Sequence, residues 1–193
     1  MLGQKIYKAL IWSVVAVPAL QAYAAPGEWQ DMSGNFNGWR QLGNANWQID
    51  KGEFVATTGN GHLVTQQSYG DFHVTMDFFV DSGTANSGVY FRISNPDAVA
   101  DTTAYEANIF DERADQSGRT GGLVHFVAPA EIINAGGKWS SYDITVQGNH
   151  IVIKLDGVTT VDTHDASHPD AGPVSLQYGA GEVRFRNVKI QPL

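Results

Sequence analysis

From Phe72 to Val80 the chain alternates without a break. Phe72, Val74, Met76, Phe78 and Val80 are apolar, and His73, Thr75, Asp77 and Phe79 stand between them. A period of two predicts a strand with one face toward a core. Residues 142–146 alternate in the same way, and Gly148-Asn149 turns them into residues 151–155. Asp156-Gly157 then predicts a hairpin turn into residues 158–161. Residues 174–178 and 183–190 close the chain as two further strands around Gly179-Ala180-Gly181. No segment carries a long helical period, and residues 96–102 have room for one turn at most. The pattern predicts an all-β protein, one antiparallel β-sandwich, with each strand turning one face to the core and the other outward.

Residues 85–112 read as two short strands around a loop. Alternation puts Val89, Phe91 and Ile93 on one face of the first and Tyr90, Arg92 and Ser94 on the other. In the second, Tyr105, Ala107 and Ile109 share a face opposite Glu106, Asn108 and Phe110. The apolar sets are the expected core, which leaves Tyr90, Arg92, Glu106 and Asn108 facing outward. Such a face is either a solvated surface with an Arg92–Glu106 pair of small value or a site. The mixture of Tyr90 and Phe79 with Asp77, Arg92, Glu106 and Asn108 suits a sugar, which needs apolar platforms and planar polar groups. Asp111 lies five residues beyond Glu106, roughly 16 Å along a straight strand and on the opposite face. Asp77 is therefore the expected carboxylate partner of Glu106, since glycoside hydrolysis commonly uses two carboxylates about 5–9.5 Å apart.

Composition narrows the classes. Lys5 and Lys8 precede an apolar run over residues 9–20, and Ala22-Tyr23-Ala24 follows. This succession predicts a secretory leader over residues 1–24, ahead of a single domain over residues 25–193. Without cysteine, neither a lipid anchor at the cleavage site nor a disulfide is expected. Removing two lysines and no acid from a chain of charge −8 leaves −10. Such a surface repels phosphate backbones, so nucleic acid is not an expected partner, nor is a membrane once the leader is gone. His164 and His168 are four apart beside Pro169, a loop context that gives no rigid frame for a metal. His125, between Leu123 and Val127, reads as a semi-buried strand histidine or a proton-transfer group. The glycine-rich residues 57–62 are followed by neither lysine nor a helix start, so they are not a phosphate loop.

Five segments in order, NSGVYFR (86–92), YEANIFDE (105–112), GGLVHFVAP (121–129), GKWSSYDITVQGNHIVIKLDG (137–157) and VSLQYGAGEVRFRNVKI (174–190), carry a resemblance. The chain from about residue 39 onward resembles the 3-keto-disaccharide hydrolase domain family, whose fold is the concanavalin A-like lectin/glucanase jelly roll. It departs from the family pattern at Asn108, usually glutamine, at Ser140, usually asparagine, at Asp156, usually asparagine, and at Tyr178. The resemblance implies a carbohydrate partner, a 3-keto-glycoside or 3-keto-disaccharide. A C3 keto group acidifies the C2 hydrogen, a base removes it, and the enolate expels the C1 substituent before water adds. On this reading Glu106 is the base and Arg92 the enolate stabiliser. Asp77, Tyr90, Asn108, Asp111, His125, Trp139 and Gln177 line the substrate, with no metal or cofactor. Trp139 is equally readable as a core or rim residue. A non-catalytic lectin on the same fold would need no base. N-terminal sequencing of exported protein is expected to begin at Ala25; a sequence beginning at Met1 would overturn the leader.

Overall fold

The computed structural model describes residues 26–193; the leader expected over residues 1–24 lies outside them. Thirteen strands follow in order: β1 Gln30–Asp31, β2 Trp39–Gly43, β3 Gln48–Asp50, β4 Glu53–Ala56, β5 Gly61–Tyr69, β6 Phe72–Val80, β7 Asn86–Phe91, β8 Tyr105–Ile109, β9 Lys138–Gln147, β10 His150–Leu155, β11 Val158–His164, β12 Gly172–Ala180 and β13 Val183–Pro192. They form two antiparallel sheets. The large sheet runs β11-β10-β9-β6-β13-β4-β3, with β1 also on β13, and the small one runs β2-β5-β12-β7-β8.

Alternation is what welds the two sheets. Phe72, Val74, Met76, Phe78 and Val80 of β6 are all buried, as are Tyr142, Ile144 and Val146 of β9. From the small sheet Leu63, Leu176, Val89 and Ala107, each fully buried, join the same cluster. Phe72 and Phe91 meet across the sheets with ring centroids 5.9 Å apart. The hairpin turn falls where the sequence predicts it. Asp156 and Gly157 have φ of 51° and 81°, as a two-residue primed turn demands.

Two features depart from the expected alternation. Arg92 adopts a left-handed φ of 52°, which ends β7 at Phe91. Beyond it Ile93 leaves the main core and packs with Tyr90 and Ala104 in a separate cluster, with Val99 against it. Residues 123–127 form a turn rather than a strand, closed by a bridge between Leu123 and Val127. His125 sits at its tip with φ of 68° and a half-exposed side chain, not as a semi-buried strand residue.

The connection between β8 and β9 is long, and Asp111 organises it. Its buried carboxylate accepts from Thr120 Oγ1 at 2.6 Å, from the Ala135 amide at 2.9 and 3.0 Å and from the Gly136 amide at 2.8 Å. Tyr142, reaching from the large sheet, donates its hydroxyl to the Asn108 carbonyl and accepts from the Gly121 amide. Residues 121–124 are thereby laid along the outer edge of β8, where the Asn108 amide donates to the Gly122 carbonyl and the Val124 amide to the Glu106 carbonyl. Asp111→Ala strands buried N–H groups, at a cost on the order of 3 kcal/mol. The expected loss in thermal midpoint is about 6–12 °C, read by calorimetry.

Candidate functional site

The outer face of the small sheet carries two transverse rows, set by strand register. One is Arg40, Val64, Ser175, Tyr90 and Glu106; the other is Leu42, His62, Gln177, Gly88 and Asn108. Each row takes one residue from each of β2, β5, β12, β7 and β8. The loop joining β7 to β8 folds over the first row. Ile93, Val99 and Ala104 pack on Tyr90, and at the far side Arg40 holds Asp97 at 2.7 Å and the Pro96 carbonyl at 2.5 Å. Ser175, Val64 and Tyr90 are buried beneath it. The expected outward orientation of Tyr90, Glu106 and Asn108 is observed, but these side chains are covered rather than solvated.

Glu106 is 6 % exposed. Its carboxyl lies over Gly88, where a Cβ would come within 2.5 Å of Oε1, so a side chain at that position would displace the carboxyl. Burial pushes the Glu106 pKa up to about 7; the Tyr90 hydroxyl and Arg113 oppose the rise, and Asp101 adds to it. Burial and the nearby Glu106 carboxyl hold the Tyr90 hydroxyl well above the ordinary tyrosine range, so it keeps its proton and remains a donor. Gln177 Nε2 donates to the Tyr90 hydroxyl at 3.2 Å. Asn108 Nδ2 donates to the Gly118 carbonyl.

Those two amides leave their oxygens over. Among the described residues three buried side-chain atoms lack a hydrogen-bond partner, and two of them are Asn108 Oδ1 and Gln177 Oε1. They come from the two neighbours of Gly88 in its row. A buried amide oxygen without a donor costs about 1–3 kcal/mol, so the pair is an unmet polar demand at one point of the sheet. The two rows together therefore bring a base-strength carboxyl and a protonated phenol next to two unpartnered amide oxygens.

The structure brings Glu106, Tyr90, Asn108 and Gln177 together and leaves the other expected residues elsewhere. The turn at Arg92 sends its guanidinium to the Gly70 carbonyl at 3.1 Å and Asp71 Oδ1 at 3.2 Å, where it ties loops together and does not meet Glu106. Asp77 and Trp139 lie on the outer face of the large sheet. Asp77 binds Arg186 at 3.2 Å and Asn187 at 2.8 Å beside a shallow cavity of about 400 Å³. Trp139 packs on Phe79 at 5.8 Å and carries the Arg186 guanidinium 3.9 Å over its ring. Asp77 is thus not the carboxylate partner of Glu106. Asp111 is consumed by the backbone amides described above. His125 reaches the neighbourhood only through Asp101, at 2.9 Å.

Sequence reasoning passed over Arg113, Asp101, Ser175 and His62. The first two lie on loops, whose fold no periodicity reports. Ser175 and His62 have a signal, since both alternate with core residues: Ser175 with Val174 and Leu176, His62 with Leu63.

A family model for the 3-keto-alpha-glucoside-1,2-lyase-like domain matches residues 28–191. The chain belongs to this family. No curated protein sequence matches it significantly. Among solved structures it is similar to a candidate glycosyl hydrolase from Parabacteroides distasonis, with a TM-score of 0.73 and 20% identity over 82% of this chain and 90% of that one. It is also similar to the carbohydrate binding module CBM66 from Bacillus subtilis, at a TM-score of 0.59 and 22% identity, covering 79% of this chain and 94% of that one. The Bacillus licheniformis beta-glucanase matches at a TM-score of 0.62 and 13% identity over 89% of this chain and all of that one, 100%. These likenesses establish the jelly-roll fold of glucanases and lectins.

The position of Glu106 has a consequence for stability. The carboxyl ionises near 4.5 in an unfolded chain and near 7 in the folded one. Between those values the unfolded chain has released its proton while the folded one keeps it, so this group's contribution to stability falls as pH rises and levels off above about 7. Glu106→Gln cannot ionise. It is expected to be more stable than the parent at pH 8 by on the order of 3 kcal/mol, with the gap closing toward pH 4. Denaturant titrations at the two pH values check this; a gap that does not change with pH contradicts it.

Proposed function

We propose that this domain cleaves 3-keto-glycosides, 3-keto-disaccharides among them, by removing the proton at C2 and expelling the substituent at C1. The observation that carries the reading is Glu106: a buried carboxyl with a pKa of about 7, lying over Gly88, whose two neighbours in its row carry unpartnered amide oxygens. A base of that strength suits a carbon acid activated by an adjacent ketone. Ionised Glu106 takes the C2 proton as the electron pair moves toward the C3 oxygen. As the enolate collapses, the C3=O bond reforms, the C2=C3 pair becomes a new C1=C2 double bond and the C1–O bond breaks, with the proton held by Glu106 available to the departing oxygen. Water added across that double bond gives the net hydrolysis product. Tyr90, kept protonated by its surroundings, and Arg113, close enough to act on both Tyr90 and Glu106, take the enolate-stabilising role that the sequence assigned to Arg92. Asn108 Oδ1 and Gln177 Oε1 accept from sugar hydroxyls. The other nearby carboxylate, Asp101, is engaged by His125 and a third exposed, so a two-carboxylate route finds less support. The leader reading would place this activity in the periplasm or outside the cell.

The similarity to a carbohydrate binding module favours one other reading, a domain that binds sugar without turning it over. The same substitution separates the two. Glu106→Gln is expected to lower turnover of a 3-keto-glucoside by at least about a hundredfold while binding persists, and the parent's kcat/KM should rise with pH through about 7. Turnover within a few-fold of the parent removes Glu106 as the base. A parent that binds sugars and turns none over leaves the binding module.

A further inference from the structure

The row that holds Gly88 does not stop at Gln177. It continues onto β5, where His62 stands opposite Gln177, and onto β2, where Leu42 stands opposite His62. We propose that His62 forms a second sugar subsite, one that holds the leaving-group half of a disaccharide through an Nε2–H donor. The proposal rests on the reading of Glu106 given above and adds to it where the second ring lies.

Three observations carry it. The first is the orientation of the imidazole. His62 is 7 % exposed, its Nδ1 lies 3.0 Å from Ser175 Oγ, and its ring stands edge-on to Tyr90 at 5.2 Å. Ser175 has no exposed surface, and among the described residues this is the one hydrogen bond its hydroxyl makes. A buried hydroxyl proton needs an acceptor, and Nδ1 is the acceptor within reach. Nδ1 therefore carries no proton and Nε2 does. Burial also holds the His62 pKa down, to about 4, so the ring is a neutral donor at working pH.

The second observation is that Nε2 has no protein partner among the described residues and is not sealed off from the surface, whereas Nδ1 is spoken for. The third is Gln177 Oε1, the unpartnered oxygen between Gly88 and His62 in the same row. A ligand that ended beside the Glu106 carboxyl would leave Gln177 Oε1, on the β5 side of Gly88, without a donor. One that spans the row satisfies both amide oxygens. From Asn108 to His62 the row crosses three strand spacings, about 14 Å, room for two linked hexose rings. The loop pinned by Arg40 and Asp97 roofs the neighbouring row, so a ligand is confined to the His62–Gln177–Gly88 side. The ring beside the Glu106 carboxyl is the one Glu106 acts upon; the ring over His62 is the one that leaves.

The test compares two substrates: a 3-keto-disaccharide, which fills both subsites, and methyl 3-keto-glucoside, which has no second ring. The readout is the ratio of their kcat/KM values. His62→Ala is expected to lower that ratio at least about tenfold, chiefly through KM for the disaccharide, the loss of one hydrogen bond of about 1.4 kcal/mol. His62→Gln, which places an amide N–H near the same point, should recover most of it. Equal losses on both substrates would make His62 a packing residue and overturn the proposal, as would an unchanged ratio. If the parent turns over neither substrate, the Glu106 reading fails by itself. Calorimetry of the disaccharide against the methyl glycoside then decides the subsite: it stands if His62→Ala abolishes the preference for the disaccharide and falls if the preference is absent or survives.

Discussion

The Glu106 carboxyl lies over Gly88 because no side chain occupies that position on the neighbouring strand. A methyl group there would stand within 2.5 Å of a carboxyl oxygen, so Glu106 would be pushed off the sheet and back toward water. Its flat pose is what allows the loops to close over it, and closure is what raises its pKa. The order of cause is thus short: an empty position, a carboxyl lying in it, a cover, a base of useful strength. Tyr90 and Asn108, each two residues along their strands from Gly88 and Glu106 or opposite them in register, are oriented by the same pleat.

The cover is built from parts that answer to different anchors. Arg40 ties the β7–β8 loop across the face, while Asp111 and Tyr142 fold the β8–β9 connection against the other side. Arg92, whose left-handed backbone costs on the order of 1–3 kcal/mol, swings its own side chain away and delivers Ile93 to the cluster on Tyr90. The strain sits at the point where the strand must release the loop, and the fixed guanidinium contacts with Gly70 and Asp71 hold it there.

Much of this was legible in the chain. Alternation located β6, β9, β10, β12 and β13, and the faces of Tyr90, Glu106 and Asn108 followed from parity alone. Gln177 joined them through the family resemblance. What parity cannot state is which sheet a strand belongs to. Asp77 and Trp139 have the correct outward parity but sit on the large sheet, because β6 pairs with β9 and β13 and not with β7. Parity also presumes an unbroken strand, and one left-handed residue at Arg92 ends its authority. His62 went unread for a different reason. It follows a glycine-rich stretch at the start of β5; alternation with Leu63 can give its face, but only the register with Gln177 places it in the row.

The segment that shapes the site also has to serve the sheet. β8 is the last strand of the small sheet, and an uncovered edge strand invites pairing with another chain. Residues 121–124 occupy that edge through the amides of Asn108 and Val124. Any change that swings this segment outward to admit a bulkier ligand therefore bares a row of backbone donors and acceptors at the same moment. In this architecture, broader substrate tolerance and a tendency to self-associate are coupled, so enlarging the site safely means remodelling the β7–β8 loop, which guards no edge of the sheet.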